Sequence, residues 1–209
     1  MEKQIAIVSG FSGVGKGTLL KRVLHQNPEL ELIRSCTTRE KRNKDDYYTF
    51  LSDQEFTCLI SQKAFLEYNN YSGAFYGTPI CEVMRIIEDG KIPIAEIDTN
   101  GFAQVIQSGF FERGEIHSIF IADDAESLVK KLLGRKTETK EKVISRLNTA
   151  IEESKRISLY DQVLINKDLE KATAELASFV TTFSSYDVCF DDSLFRKQLQ
   201  EILRIMDSE

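Results

Sequence analysis

One stretch limits what this chain can fold into more than any other: Ser9-Gly10-Phe11-Ser12-Gly13-Val14-Gly15-Lys16-Gly17-Thr18. It follows the apolar run Ile5-Ala6-Ile7-Val8 and opens a stretch with helical periodicity near Lys16. Gly10, Gly13, Gly15 and Lys16 stand at P-loop spacing, in which glycines let successive backbone N–H groups turn inward around phosphate oxygens and the lysine reaches the outer phosphates. Ser12, Val14, Gly17 and Thr18 complete the candidate triphosphate-binding loop. The usual motif places Ser or Thr directly after the lysine to hold magnesium; here that position is Gly17, and the hydroxyl comes one residue later at Thr18. The bland alternative is a glycine turn that binds nothing, but the strand, loop and helix context is the one a phosphate cradle requires. By itself the loop specifies a nucleoside triphosphate and leaves the acceptor open.

The 209 residues suffice for one well-cored domain with a small insertion or two. With 42% hydrophobic and 29% charged residues the composition is that of a soluble globular protein, and no apolar run approaches the roughly 20 residues needed to span a bilayer. The N-terminal residues lead directly into the loop-bearing strand and leave no room for a secretory signal, so a cytoplasmic location is expected. Four cysteines, at 36, 58, 81 and 189, have neither CxxC nor metal-ligand spacing, and only His25 and His117 accompany them. They are expected to be reduced and structural. A net charge of -6 argues against broad nucleic-acid binding and directs attention to local basic clusters.

After the loop, Leu19, Leu20, Val23 and Leu24 recur at helical spacing until Asn27-Pro28. Residues 30–35 read as a second strand, followed by a charged loop. Residues 47–51 have strand composition, and Ser52-Asp53 caps a helix through Phe56, Leu59 and Ile60. Residues 65–76 are aromatic and strand-like, with Gly73 and Gly77 as breaks. A helix over 80–88 ends at Asp89-Gly90. Residues 92–97 and 116–121 are short, apolar and β-branched, each followed by helical patterning, the alternation of βαβ units around a parallel sheet. Helices are predicted over 125–133 and from Thr137, the second with an apolar stripe of Val143, Ile144, Leu147, Ala150 and Ile151 and with Arg146 at its edge. Residues 163–165 form the last strand. Two helices follow, one carrying Leu169, Ala172, Leu176, Val180 and Phe183, the other carrying Phe195, Leu199, Ile202 and Met206.

Several groups of these residues together resemble the guanylate kinase family. They are Ser35 with Thr37-Thr38-Arg39 and Arg42; Tyr48-Thr49-Phe50; Phe65-Leu66-Glu67-Tyr68; Gly73-Ala74-Phe75-Tyr76-Gly77-Thr78-Pro79; Glu96-Ile97-Asp98; Gly134-Arg135-Lys136-Thr137-Glu138-Thr139; and Arg146-Leu147. Tyr160-Asp161 and Asn166 with Asp168-Leu169 extend the resemblance to about four fifths of the chain. It implies an α/β fold of the P-loop nucleoside monophosphate kinase type, a parallel sheet flanked by helices with an inserted α+β GMP-binding lobe and a helical lid. The corresponding divisions are a core of residues 1–35, 80–133 and 152–185, a GMP-binding lobe of 36–79, a lid of 134–151 and a C-terminal helical extension of 186–209.

The resemblance implies transfer of the γ-phosphoryl group of ATP to GMP, and to dGMP, with magnesium. Lys16, Arg39, Arg135 and Arg146 would surround the transferring group, Asn166 would lie near the adenine, and the lobe and lid would close over the nucleotides. Arg39, Arg42, Tyr48 and Tyr76 would grip the GMP phosphate. Physical reading agrees, since two planar guanidinium forks suit one phosphate and tyrosine hydroxyls can complete the cage. Glu67 and Asp98 would read guanine, which presents N1–H and N2–H donors side by side, with Ser35, Gly77 and Thr78 beside them. Adenine lacks that donor pair.

Taken singly, each residue has a plainer reading: two arginines on a polar loop are usually solvated, and Glu67 is the outward residue of an alternating strand. This chain also departs from the family pattern. The loop between Arg42 and Tyr48 is short and lacks a Gly-Glu element, Tyr47 stands where aspartate is common, and Glu96 replaces an aspartate near the metal. Magnesium is therefore expected to rest on Thr18 and Glu96, through water, and on the phosphates. The rival readings are another P-loop small-molecule kinase, a non-enzymatic protein-binding module of the same family, and a nucleotide switch, for which no Asn-Lys-x-Asp is present. The expected partners are ATP and GMP, with no nucleic acid and no membrane, in a monomer or homodimer.

Overall fold

The structure is a computed structural model that describes residues 3–41, 47–71, 73–134 and 139–208. β1 (Ile5–Gly10) is buried along its length and runs into the loop from which α1 (Lys16–Gln26) starts. The chain continues through β2 (Leu30–Leu32), β3 (Ser35–Thr37), β4 (Tyr48–Phe50), α2 (Asp53–Ser61), β5 (Phe65–Tyr71), β6 (Ala74–Pro79) and α3 (Ile80–Glu88). β7 (Ile92–Glu96), α4 (Thr99–Ser108), β8 (Ile116–Ala122), α5 (Ala125–Leu133), α6 (Lys140–Ser154), β9 (Gln162–Ile165), α7 (Leu169–Thr182) and α8 (Asp192–Ser208) complete it.

The helix starts are written in local chemistry. Ser52 and Glu55 form a reciprocal capping box on α2, with the Ser52 N–H donating to Glu55 Oε2 at 2.8 Å and the Glu55 N–H to Ser52 Oγ at 3.3 Å. Asp98, Asp124 and Asp168 accept from the third helical N–H of α4, α5 and α7, each cap contributing about 1 kcal/mol.

Two sheets result. One has the order β2-β7-β1-β8-β9, with β2 parallel to β7 and β8 parallel to β9, and helices flank it; the other has the order β4-β3-β6-β5. Continuous apolar runs such as Ile5-Ala6-Ile7-Val8 and Ile119-Phe120-Ile121-Ala122 are fully buried, as strands covered on both faces must be. The predicted single strand over 30–35 is two strands in different sheets. β2 pairs with β7, while Ser35–Thr37 pairs with β4 in parallel and β6 antiparallel. Gly77, read as a break, lies within β6; a Cβ there would come 2.9 Å from the Phe65 ring and 3.0 Å from Phe56, so glycine lets the aromatic layer close against the strand. The predicted helix start at Thr137 lies outside the described residues.

Contacts divide the chain into two compact units, Met1–Ile7 with Asn27–His117 and Val8–Gln26 with Ser118–Glu209, the division falling within β1 and β8. The first contains the four-stranded sheet, and its core includes Phe56 stacked on Phe65 and Phe75 at ring-centroid distances of 4.5 and 5.2 Å. The second contains the glycine-rich loop, α1 and α5–α8, with Phe11, Phe120 and Phe179 among its fully buried side chains.

All four cysteines are free. Only Cys36 is buried, its thiol pushed up to about 11 by burial, so the structural role expected for all four holds for this one. Among the described residues no helix is long and apolar enough to cross a membrane.

Candidate active site

In the unit that holds the glycine-rich loop, the loop is pinned from below and drawn together from within. The Phe11 N–H donates to the Ile121 carbonyl of β8 at 3.2 Å, and a Cβ on Gly10 would lie 2.3 Å from that same carbonyl oxygen, so only glycine lets the loop leave the strand here. Gly13 and Gly15 have φ of 88° and 104°. Lys16 Nζ folds back to donate to the carbonyls of Gly10 at 2.5 Å and Phe11 at 3.2 Å, which ties the ammonium to the start of the loop. The loop ends at the N-terminus of α1, where the helix dipole and first-turn N–H groups favour an anion. Gly17 and Thr18, in that first turn, are exposed.

Two further predicted residues come to the loop. Arg146, half-buried on α6, donates from its guanidinium to the Ser12 hydroxyl. Asn166 is buried just after β9 and donates from Nδ2 to the Val14 carbonyl at 2.8 Å, so its contact here is with the loop backbone. Its own carbonyl accepts from Lys131 Nζ at 2.8 Å, and Lys131 in turn pairs with the fully buried Asp123 at 2.7 Å. Sequence reading missed both Lys131 and Asp123. Arg135, the other predicted lid arginine, lies outside the described residues.

The second group of residues is assembled by the register of the small sheet. β5 and β6 pair Glu67 with Thr78, and the Thr78 hydroxyl donates to Glu67 Oε1 at 2.6 Å. Glu67 Oε2 lies against the start of α4, where a Cβ on Gly101 would approach it to 2.7 Å. Asp98 caps the same helix, with Oδ1 accepting from the Gly101 N–H at 2.7 Å and Oδ2 from Asn69 Nδ2 at 3.0 Å. Both carboxylates therefore converge on Gly101. Glu67 is buried, and its pKa is raised from an ordinary 4.5 to about 7: burial is the main cause, the Asp98 charge adds to it, and the hydrogen bonds from Thr78 oppose it only in part.

β3 carries the rest of this group. Ser35 is in register with Tyr48, and Cys36 and Thr37 with Gly77 and Tyr76. The Arg39 guanidinium lies 4.9 Å from the Tyr48 ring centroid, and the Tyr48 and Tyr76 rings meet edge-on at 6.1 Å. Arg42 lies outside the described residues. Asn69 and Gly101 were missed. Asn69 is two residues beyond Glu67 on one strand and so shares its face, a signal the alternation of β5 offers; nothing in the local sequence marks the clearance at Gly101.

Glu96 is exposed at the end of β7, and among the described residues no three His, Cys, Asp or Glu side chains form a metal-holding group. A protein-only metal cage is therefore not built from them.

Chemically, the loop and helix N-terminus suit polyphosphate, and a buried carboxylate beside a second carboxylate and a hydroxyl suits a neutral ring bearing adjacent N–H donors. Comparison with known proteins shows the family. A family model described as guanylate kinase matches residues 2–183. The guanylate kinase of Mycoplasmoides gallisepticum is 37% identical over 185 residues, 86% of this chain and 93% of that protein. The guanylate kinase of one strain of Prochlorococcus marinus is 38% identical over 181 residues, 84% and 96% of the two chains. The crystal structure of guanylate kinase from Anaplasma phagocytophilum superimposes with a TM-score of 0.64 at 23% identity, covering 86% of this chain and 85% of that one, which shows a shared fold. With the family model spanning the loop, the small sheet and β9 alike, this chain belongs to the guanylate kinase family.

Proposed function

We propose that the chain transfers the γ-phosphoryl group of ATP to GMP, and to dGMP, giving ADP and the corresponding diphosphate. The observation that carries the acceptor is the convergence of Glu67, Thr78 and Asp98 on the start of α4. Guanine offers its N1–H and N2–H donors side by side to such a carboxylate. AMP would leave Glu67 buried without that partner, and sites built on buried hydrogen bonds discriminate by about 10⁴ or more.

GMP's phosphate is ionised at neutral pH, so no base has to create the nucleophile. Catalysis consists of alignment, exclusion of water and neutralisation of charge on the transferring group. On this reading Lys16 and the amides of Gly10, Ser12, Gly13, Val14, Gly15, Gly17 and Thr18 hold the donor phosphates. Arg39, Arg42, Tyr48 and Tyr76 hold the acceptor phosphate, with Ser35 and Gly77 completing the acceptor wall. Arg135 and Arg146 steady the group in transit. Thr18 and Glu96 are the protein oxygens that would hold magnesium, through water, and the ion would supply positive charge to offset that of the donor phosphates. Asn166 serves the donor through the loop carbonyl it holds. The free cysteines suit a reducing cytoplasm, and the proposed reaction on GMP would place the chain in purine nucleotide metabolism.

A different small-molecule kinase would share the loop without the carboxylate pair, and a binding module would have no need of the loop. A coupled ADP-release assay with GMP, dGMP, AMP, CMP and UMP separates these readings. ADP release is expected with the two guanine nucleotides; turnover favouring AMP or a pyrimidine, or none with any acceptor by a folded chain that binds ATP, would overturn the proposal.

A further inference from the structure

The family match ends at residue 183, yet the chain goes on to a 17-residue helix, α8, whose Phe195, Leu199 and Leu203 are buried. α8 packs along α6 and α5. Phe195 stacks on Phe11 of the glycine-rich loop, with ring centroids 4.6 Å apart and planes 7° from parallel. Phe190 adds a tilted contact to Phe11 at 6.3 Å and to Phe195 at 5.5 Å, and Phe120 of β8 meets Phe11 edge-on at 4.9 Å. The Phe11 ring is thus held by the sheet on one side and by residues beyond the family match on another.

Phe11 is well placed to govern the loop. Its carbonyl accepts from the Val14 N–H at 3.1 Å and from Lys16 Nζ at 3.2 Å, so a shift of its ring carries both the turn and the lysine with it. A phosphate-binding loop aims backbone N–H groups at its ligand and needs anchorage from elsewhere, which a buried side chain supplies. The same helix also reaches α6. Arg196, ion-paired with Asp192 one turn earlier, donates to Ser154 Oγ at 3.4 Å at the end of α6, the helix that brings Arg146 to Ser12.

We propose that the C-terminal segment is a positioning element of the donor site, in which Phe195 holds Phe11, and through it the phosphate loop and Lys16, in the conformation that receives the triphosphate. Phe195 is a positioning residue and touches no substrate. The inference rests on the kinase reading for its turnover arm only; its binding arm needs nothing beyond ATP and the full chain.

The test compares Phe195→Ala and Phe195→Leu with Leu203→Ala in the full-length protein. Leu203 is buried in the same helix but lies about 12 Å further along it, so its truncation costs stability without touching the aromatic stack. Calorimetric ATP and GMP affinities are measured well below each variant's melting temperature, together with kcat and the KM for each nucleotide. Phe195→Ala is expected to weaken ATP binding and raise the ATP KM about tenfold or more, with GMP affinity within twofold of wild type. Phe195→Leu, which fills the space without the ring, should fall between. Leu203→Ala should melt earlier with ATP affinity unchanged. ATP affinity within twofold of wild type in the Phe195 variants overturns the inference, as does an equal loss in Leu203→Ala; if Phe195→Ala does not fold, Phe195→Leu decides by the same criteria. A wild-type chain that binds ATP and does not phosphorylate GMP would refute the acceptor reading and leave this comparison intact.

Discussion

Replacing Glu67 by glutamine removes a charge the fold has buried at a cost, and the size and pH dependence of that cost follow from the site. The carboxyl is raised from 4.5 to about 7, mainly by burial, with Asp98 adding to the shift. Between these values the folded chain holds a proton that the unfolded chain has released, so stability falls as pH rises from about 4.5 to about 7 and levels off above. The accumulated loss is about 3 kcal/mol at about 1.4 kcal/mol per factor of ten. Glu67→Gln escapes it: without ligand, the variant should match wild type near pH 4.5 and exceed it by up to about 3 kcal/mol at pH 8, read by urea unfolding at both pH values. GMP binding should move the other way. Only the carboxylate accepts both guanine donors, so wild-type affinity should weaken about tenfold from pH 8 to pH 6. Because the GMP phosphate itself titrates near pH 6, the ratio of wild-type to Glu67→Gln dissociation constants isolates the Glu67 contribution. At pH 7 binding should release about half a proton, measured by calorimetry in buffers of different ionisation enthalpy. A variant no more stable than wild type at pH 8, or two binding profiles of identical shape, would refute the reasoning.

Lys16→Met should leave the melting temperature near wild type and reduce phosphoryl transfer by at least about 10²-fold, the scale of removing one preorganised donor to a developing charge; near-normal turnover would dismiss Lys16 from the chemistry. Gly101→Ala introduces a Cβ 2.7 Å from Glu67 Oε2 and should lower kcat/KM for GMP by about ten- to a hundredfold, for an overpacking cost of about 1–3 kcal/mol, with the ATP KM unchanged. Equal loss for both nucleotides would make Gly101 a folding residue alone. Arg39→Lys keeps the charge over Tyr48 but loses the planar fork, and should raise the GMP KM about tenfold with little change in melting temperature; an unchanged KM would remove Arg39 from the phosphate site.

What the sequence revealed was what its neighbours in sequence decide. The glycine-rich loop, the helix cap at Ser52, and the helix over Ile80–Glu88 ending at Asp89-Gly90 are local chemistry, and each stands where the residues put it. The break between β2 and β3 was not legible, because apolar patterning shows that residues 30–35 are extended and does not show which sheet each half joins. Gly77 illustrates the same point: glycine in isolation reads as a break, and only the Phe56 and Phe65 rings explain it inside a strand. Among site residues, Glu67 and Thr78 could be named from the sequence, while the clearance at Gly101 and the stack of Phe195 on Phe11 arise from segments far apart in the chain that only the fold unites.

The central claim is direct transfer from ATP to GMP, and following a label in the γ-phosphate of ATP tests it most directly. With GMP and magnesium present, the label should appear in the β-phosphate of GDP, one equivalent for each ADP formed, and should do so far more slowly when AMP replaces GMP. Label recovered as inorganic phosphate, or in ADP formed from AMP at a comparable rate, would contradict the account.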